Sequence, residues 1–359
     1  AHNHLGLIYS NLENINEAIK SYLKSIKINP KNIPVNYNIG NLFKRLNDIE
    51  NSEKYFNKTL ELDPNHLSAY NNLLELYDTS NQNEKFEALL KKGSNHFEQN
   101  PTISLFKAKL FYKLKKFKEV VKILESIKFG SEENFKENSR LELIAKSYDQ
   151  LGNYNEAYKF FEQNNELTIK IDKNNANKEI FLDSIKKRIN YFSNLNNKDW
   201  KTQRKEDDLK DPVFLIGFPR SGTTLLDTIL RSHPSIDVLE EKPIIDKYVE
   251  KLDKKIKSKF ENLKSPNSSL KKEMRKFYFD QRGKYLSNNQ KIIIIDKMPL
   301  NIIYVGEIFR FFPKAKFILA IRHPCDCVLS CFMQNFLLNH AMANFLNLND
   351  SAKMYDLVM

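Results

Sequence analysis

Pro212-Val213-Phe214-Leu215-Ile216-Gly217-Phe218-Pro219-Arg220-Ser221-Gly222-Thr223-Thr224-Leu225-Leu226 is the stretch that decides the fold of the C-terminal half. The apolar run into Gly217 predicts a buried strand, and Leu225-Leu226-Asp227-Thr228-Ile229-Leu230 predicts an amphipathic helix opened by Gly222 and two hydroxyl residues. Such an order aims the unpaired N–H groups of a helix's first turn, and the positive end of its dipole, into a short loop. An anion is the natural occupant. Against the P-loop pattern of Gly, four residues, Gly-Lys and Ser/Thr, the residues Gly217, Gly222 and Thr224 fit. Thr223 stands where the lysine belongs, and the cation is instead Arg220, inside the loop.

Three later segments belong with this loop. Phe317 to Ile321 predicts a short strand, which places Arg322 at its carboxyl end and Ser330 eight residues on, in the helix that follows. Ligands of open α/β sheets bind at that end of the strands. The other reading of Arg322 is an ion pair with Asp326. Lys291-Ile292-Ile293-Ile294-Ile295-Asp296-Lys297 predicts a central parallel strand, with Met298-Pro299-Leu300-Asn301 turning after it. Asp296 fits a metal-binding acid if the chain is an NTPase. Glu240-Glu241 ends a short extended run after the loop helix, where two adjacent carboxylates are ordinarily surface charge.

The loop resembles the 5′-phosphosulfate loop of sulfotransferases: Pro219 to Leu225 match its P-x-R-S-G-T-T-L pattern without departure. In that family an Arg at a later strand end and a Ser eight residues beyond hold the nucleotide's 3′-phosphate, as Arg322 and Ser330 would here. The Lys-x-Pro at Lys297 and the Glu-Glu at Glu240-Glu241 are similar to the tyrosylprotein sulfotransferases. The resemblance implies transfer of a sulfuryl group from 3′-phosphoadenosine 5′-phosphosulfate (PAPS) to a hydroxyl, without a metal. Catalytic roles would fall to Glu241 as base and to Lys297 and Arg220 as charge carriers. The nucleotide would be bound by Arg220, Ser221, Gly222, Thr223, Thr224, Leu225, Arg322 and Ser330. Glu240, as the neighbour in an extended segment, is expected to point away. A P-loop kinase or NTPase, and a catalytically inactive adaptor, remain the alternatives.

The first half repeats every 34 residues. Leu5-Gly6, Tyr9, Ala18, Tyr22, Ser25 and Pro30 recur as Ile39-Gly40, Phe43, Ser52, Phe56, Thr59 and Pro64. Small residues where two helices touch, aromatics between them and a closing Pro are the signature of tetratricopeptide (TPR) repeats. Ile144-Ala145, Tyr148, Gly152, Ala157 and Phe161 make a later copy. The segment between keeps helical spacing through Leu73, Leu74, Tyr77, Phe86, Leu90, Tyr112, Phe117, Val120 and Leu124 but loses the small residues, giving four or five repeats, two of them degenerate. The stripe Phe181, Ile185, Ile189 and Phe192 predicts a helix capping the last repeat, and Asn194 to Asp211, with Trp200, reads as a connector.

The expected architecture is an all-α TPR superhelix over 1–165, a capping helix and connector over 166–209, and an α/β P-loop-like sulfotransferase domain with a parallel sheet over 210–359. The Lys-rich insertion from Glu250 to Gln290 reads either as a cover for the acceptor site or as a peripheral helix pair. A net charge of +12 favours anionic ligands, but Lys is spread over the whole chain and no nucleic-acid motif accompanies it. Expected partners are the nucleotide, a hydroxyl acceptor (peptide, sugar or small molecule) and a protein on the concave TPR face. Cys325, Cys327 and Cys331 lack C-x-x-C spacing and build no disulfide framework. With no membrane-spanning apolar segment, they point to the cytoplasm. The chain opens at Ala1 inside a repeat and stops at Met359 in a helical run, so it reads as a piece of a longer protein.

Overall fold

The computed structural model describes residues 1–93, 97, 99–172, 175–196, 209–286 and 292–359. The chain divides into two compact units, Ala1–Leu167 and Thr168–Met359. Trp200 and most of the predicted connector lie outside the described residues, as does Lys291.

The first unit is a run of helical hairpins: α1 (His2–Asn11) with α2 (Ile15–Ile28), α3 (Ile33–Arg45) with α4 (Ile49–Leu62), α5 (Leu67–Thr79) with α6 (Asn83–Gly93), α7 (Pro101–Lys113) with α8 (Phe117–Glu125), and α9 (Asn134–Gln150) leading into α10 (Tyr154–Ile171). A Cβ on Gly40 would stand 2.7 Å from the Phe56 ring, which explains the small residue at that site. One repeat later the pair becomes Leu74 and Leu90, and then Ala108 and Leu124, all buried. Volume moves from one helix to the other while the interface stays filled. The turns confirm the register: Glu13, Asn47, Asn81 and Lys115, each 34 residues from the last, all adopt φ between 56° and 58°, and Gly152 takes the same part in the last hairpin at 75°. The two degenerate segments are therefore full structural repeats whose sequence signature has been traded for another packing solution.

The second unit is built on four parallel strands, β1 (Val213–Gly217), β2 (Ile236–Glu240), β3 (Ile293–Lys297) and β4 (Lys316–Ala320), in the order β2-β3-β1-β4. The chain leaves β1 toward β2 on one side and later crosses back to β4 on the other, so β1 lies between β3 and β4 with its carboxyl end beside theirs. Strand alternation divides the core. Leu215, Val238, Ile295 and Ala320 pack on one face with Leu226 and Leu230 of α12 (Thr223–Arg231). Phe214, Ile216 and Leu239 face the other way, onto α13 (Ile244–Lys255), α14 (Ser268–Gly283) and α15 (Val305–Phe311).

One of the two readings of the insertion is removed here, and the expectation for the helix before the sheet is corrected. The insertion is not peripheral: Met274 and Tyr278 of α14 are fully buried in this second core, and the buried Arg275 pairs with Asp211 at 2.7 Å. The stripe on α11 (Lys178–Ser193), expected to cap the repeats, packs into the α/β unit at Phe181 and Phe192, with Ile185 buried and Ile189 exposed. Phe181 and Leu182 pack in the Phe218 cluster and Phe192 in the Phe214 cluster, where a Cβ on Gly306 would stand 2.5 Å from the Phe192 ring. Arg188 fixes the same helix by a buried 2.7 Å pair with Glu307 and lies 4.7 Å from the centre of the Tyr304 ring. An apolar stripe shows that a helix is covered on one side, and does not show by what.

Candidate active site

The loop after β1 reverses through two left-handed residues, Arg220 at φ 67° and Gly222 at φ 94°. The Ser221 amide donates to the Phe218 carbonyl at 3.1 Å, tightening the turn. Helical bonding in α12 begins with Leu226 donating to Gly222 at 3.1 Å, so the amides of Thr223, Thr224 and Leu225 lie ahead of it. The side chain of Leu225 is exposed, which leaves its backbone as the part that can serve an anion. Ser221 Oγ is buried with no hydrogen-bond partner among the described residues. A buried unpaired hydroxyl costs free energy unless a ligand meets it.

Gly217 sits where β1, β4 and the loop converge. A Cβ there would lie 2.7 Å from the Ala320 carbonyl oxygen and 2.8 Å from Ser221 Oγ. One of those atoms is ladder backbone, which cannot swing aside. Gly217→Ala is expected to cost about 1–3 kcal/mol through overpacking, with a matching loss of anion affinity as the loop shifts. Thermal unfolding checks this; an unchanged midpoint would mean that the strands yield freely.

Residues about a hundred positions apart meet over the loop. Arg220 Nε donates to Ser330 Oγ at 3.0 Å, and Ser330 lies on α16 (Pro324–Phe332), the helix after β4. Arg322 Nη1 donates to the Arg220 carbonyl at 3.4 Å, while its Nε lies 3.4 Å from Asp326 Oδ2. Arg322 thus has the acidic neighbour and also reaches the backbone of the loop. Beneath these contacts, Cys327 and Cys331 are buried, and burial pushes the Cys331 thiol up to about 12. Cys331 Sγ rests 3.5 Å from the Pro219 carbonyl oxygen. These two thiols pack as small apolar groups.

The second constellation lies at the ends of β2 and β3. The Lys297 side chain is 0% exposed, and Nζ donates to Glu240 Oε1 at 3.1 Å and to Glu241 Oε1 at 2.9 Å. Alternation predicts that consecutive glutamates face apart, but the strand ends at Glu240 and Glu241 turns left-handed, with φ 49° and its amide on the Lys297 carbonyl at 2.8 Å. Both carboxylates therefore reach one ammonium. The expectation that Glu240 points away is overturned by the strand register, which sets Glu240 opposite Lys297, while the backbone angle at Glu241 brings the second carboxylate to the same ammonium. Sequence offers a weak signal for it, since the Glu-Glu-Lys-Pro run favours ending the strand.

Asp296 takes the other face. Its register partners are Phe214 and Leu239, and Tyr278 donates to its Oδ2 at 3.2 Å. Burial pushes its carboxyl up to about 7, against the opposing effect of the Tyr278 hydrogen bond. A metal-binding acid for loop-bound phosphates would have to share the face of α12, and Lys297 is the residue that does. This geometry removes the main support for the NTPase alternative.

Comparison with known proteins bears on both units. Residues 212–357 match a family model described as "Sulfotransferase family", residues 1–32 match a tetratricopeptide repeat model, and 33–66 and 141–167 match a second such model. An uncharacterized protein of Aquifex aeolicus (strain VF5) is 35% identical over 143 residues, 38% of this chain and 18% of that protein. The match thus spans less than a fifth of that relative. Among solved structures, MamA protein is 17% identical with TM-score 0.40, over 48% of this chain and 93% of that one. YrrB, titled a TPR protein with an unusual peptide-binding site, is 11% identical with TM-score 0.38, over 46% and 84%.

Proposed function

We propose that this chain, in which tetratricopeptide repeats precede a sulfotransferase-family domain, moves a sulfuryl group from PAPS to an acceptor hydroxyl. The observation that carries the reading is the convergence of Arg220, Ser330 and Arg322 over a loop that contains a buried, unpartnered Ser221 hydroxyl. The donor set fits the nucleotide: Ser221 to Leu225 would hold the 5′-phosphate by hydroxyls and first-turn amides, and Arg322 with Ser330 the 3′-phosphate. When bound, PAPS supplies an activated sulfuryl group.

The remaining work belongs to the chain's own groups. Glu241 accepts the acceptor's proton at a carboxylate oxygen. Lys297 and Arg220 hold positive charge where negative charge moves toward the phosphate, and fixed donors do this without reorganising. No membrane-spanning helix occurs among the described residues. We place the protein in the cytoplasm, where its free thiols would stay reduced.

The repeats would supply recognition. Their groove encloses about 460 Å³ lined by Tyr37, Asn72, Glu75, Phe106, Lys109 and Lys136, a mixture of aromatic, amide and charged groups suited to a polypeptide partner or acceptor.

Calorimetric titration tests the class. Adenosine 3′,5′-bisphosphate should bind without magnesium, and about tenfold or more tighter than ADP, because a charge-assisted contact to the 3′-phosphate is worth roughly 1.5–3 kcal/mol. Arg322→Gln should erase the difference. Equal affinity for the two nucleotides in the parent would remove Arg322 from the site, and magnesium-dependent preference for ATP would restore the NTPase reading.

A further inference from the structure

Arg231 has no part in the mechanism above, yet it ties the loop helix to the glutamate pair. At the last turn of α12, its guanidinium grips Asp227 one turn earlier, Nε on Oδ1 and Nη2 3.1 Å from Oδ2, and Nη2 also lies 3.4 Å from Glu240 Oε2. Asp227 is 2% exposed, so the arginine is anchored to the helix and not free to wander in solvent. Glu240 is consequently held at both oxygens, Oε2 by Arg231 and Oε1 by Lys297. Glu241 reaches Lys297 through Oε1 alone among the described residues.

This asymmetry divides the labour between the two carboxylates. Resting on the sulfotransferase reading, we propose that Arg231 is a positioning residue that keeps Glu240 as the standing counter-ion of Lys297, so that the lysine exchanges Glu241, and not Glu240, for the phosphate of the bound nucleotide. An ammonium has three N–H donors, of which two are committed to glutamates, so a phosphate can take the third but gains a second bond only when a glutamate leaves. The carboxylate tied at one oxygen is the easier to release. Its release leaves both oxygens of Glu241 free of the lysine, the state a base needs. If Glu240 lost its arginine, two loosely held carboxylates would compete with the phosphate for one ammonium.

The test is a cycle read by binding of adenosine 3′,5′-bisphosphate to the whole chain. Asp227→Asn combined with Arg231→Gln removes both members of the helix pair, leaves net charge unchanged and orphans no buried charge. The dissociation constant is expected to rise about fivefold or more, the range of ordinary energetic coupling. Adding Glu240→Gln should return it to within about twofold of the parent, the scatter of independent sites, because the competitor is then gone. Thermal unfolding, followed in parallel, should not be restored by Glu240→Gln, which separates positioning from general damage. An unchanged constant in the double variant, or a loss that persists when Glu240→Gln is added, overturns the proposal and leaves the sulfotransferase reading standing. A parent that does not bind this nucleotide overturns both.

Discussion

Glu241→Gln is expected to lower turnover about 10²–10⁴-fold, the usual worth of a general base, without weakening affinity for adenosine 3′,5′-bisphosphate. Amide and carboxylate have the same shape, so the turn at φ 49° and its bond to the Lys297 carbonyl should survive. The amide cannot take the acceptor's proton. The measurement is kcat at saturating PAPS with the best hydroxyl acceptor from a panel of tyrosyl peptide, sugar and phenol. A kcat equal to the parent's would put the base elsewhere. Glu240→Gln is not the silent control that strand alternation suggests, because Glu240 Oε1 also holds Lys297, at 3.1 Å. It should show a smaller loss of kcat, through a less firmly held lysine. A large defect from Glu240→Gln with little from Glu241→Gln would mean that the pair is right and the member wrong.

That correction marks the boundary of what the sequence shows. Strand, loop and helix around Gly217 are legible because local chemistry dictates them: an apolar run, a Gly where a Cβ would meet the Ala320 carbonyl, and hydroxyls at a helix start. Arg322 and Ser330 are legible because each is fixed by its distance from a strand end. The meeting of Arg220 with Ser330 is not, since it depends on β4 returning beside β1. Glu241 escapes the period-2 rule because one left-handed residue reverses its side chain. The degenerate repeats escape for a different reason. Leu74 with Leu90 fills the same gap as Gly40 with Phe56, and packing constrains the sum of the volumes more than either member. Their turns keep the 34-residue register that their cores disguise. The stripe on α11 was readable as a buried face, but its partners, Phe218 and Phe214 among them, come from more than twenty residues away.

Asp296→Asn is expected to stabilise the α/β unit at pH 8 and to do so hardly at all near pH 4. Burial pushes this carboxyl up to about 7, and only part of it is satisfied, by Tyr278 on Oδ2, while Oδ1 has no partner among the described residues. The folded form therefore keeps a proton that the unfolded chain releases from about pH 4 upward. Between about pH 4 and 7 the native state binds more protons than the unfolded state, so stability falls as pH rises and then levels off. A shift of about three pH units corresponds to roughly 4 kcal/mol lost at alkaline pH, an upper figure for a group that can relax or admit water. Asparagine has no charged form, and its amide oxygen can still accept from Tyr278, so the variant should lack this slope. Denaturant unfolding of both proteins at pH 5 and pH 8 measures the gap at each. A gap that does not widen toward pH 8 would mean that Asp296 is ionised in the folded protein at both values. The carboxylate would then need a cationic partner, and Arg282, whose charge already opposes the upward shift, is the group to substitute next.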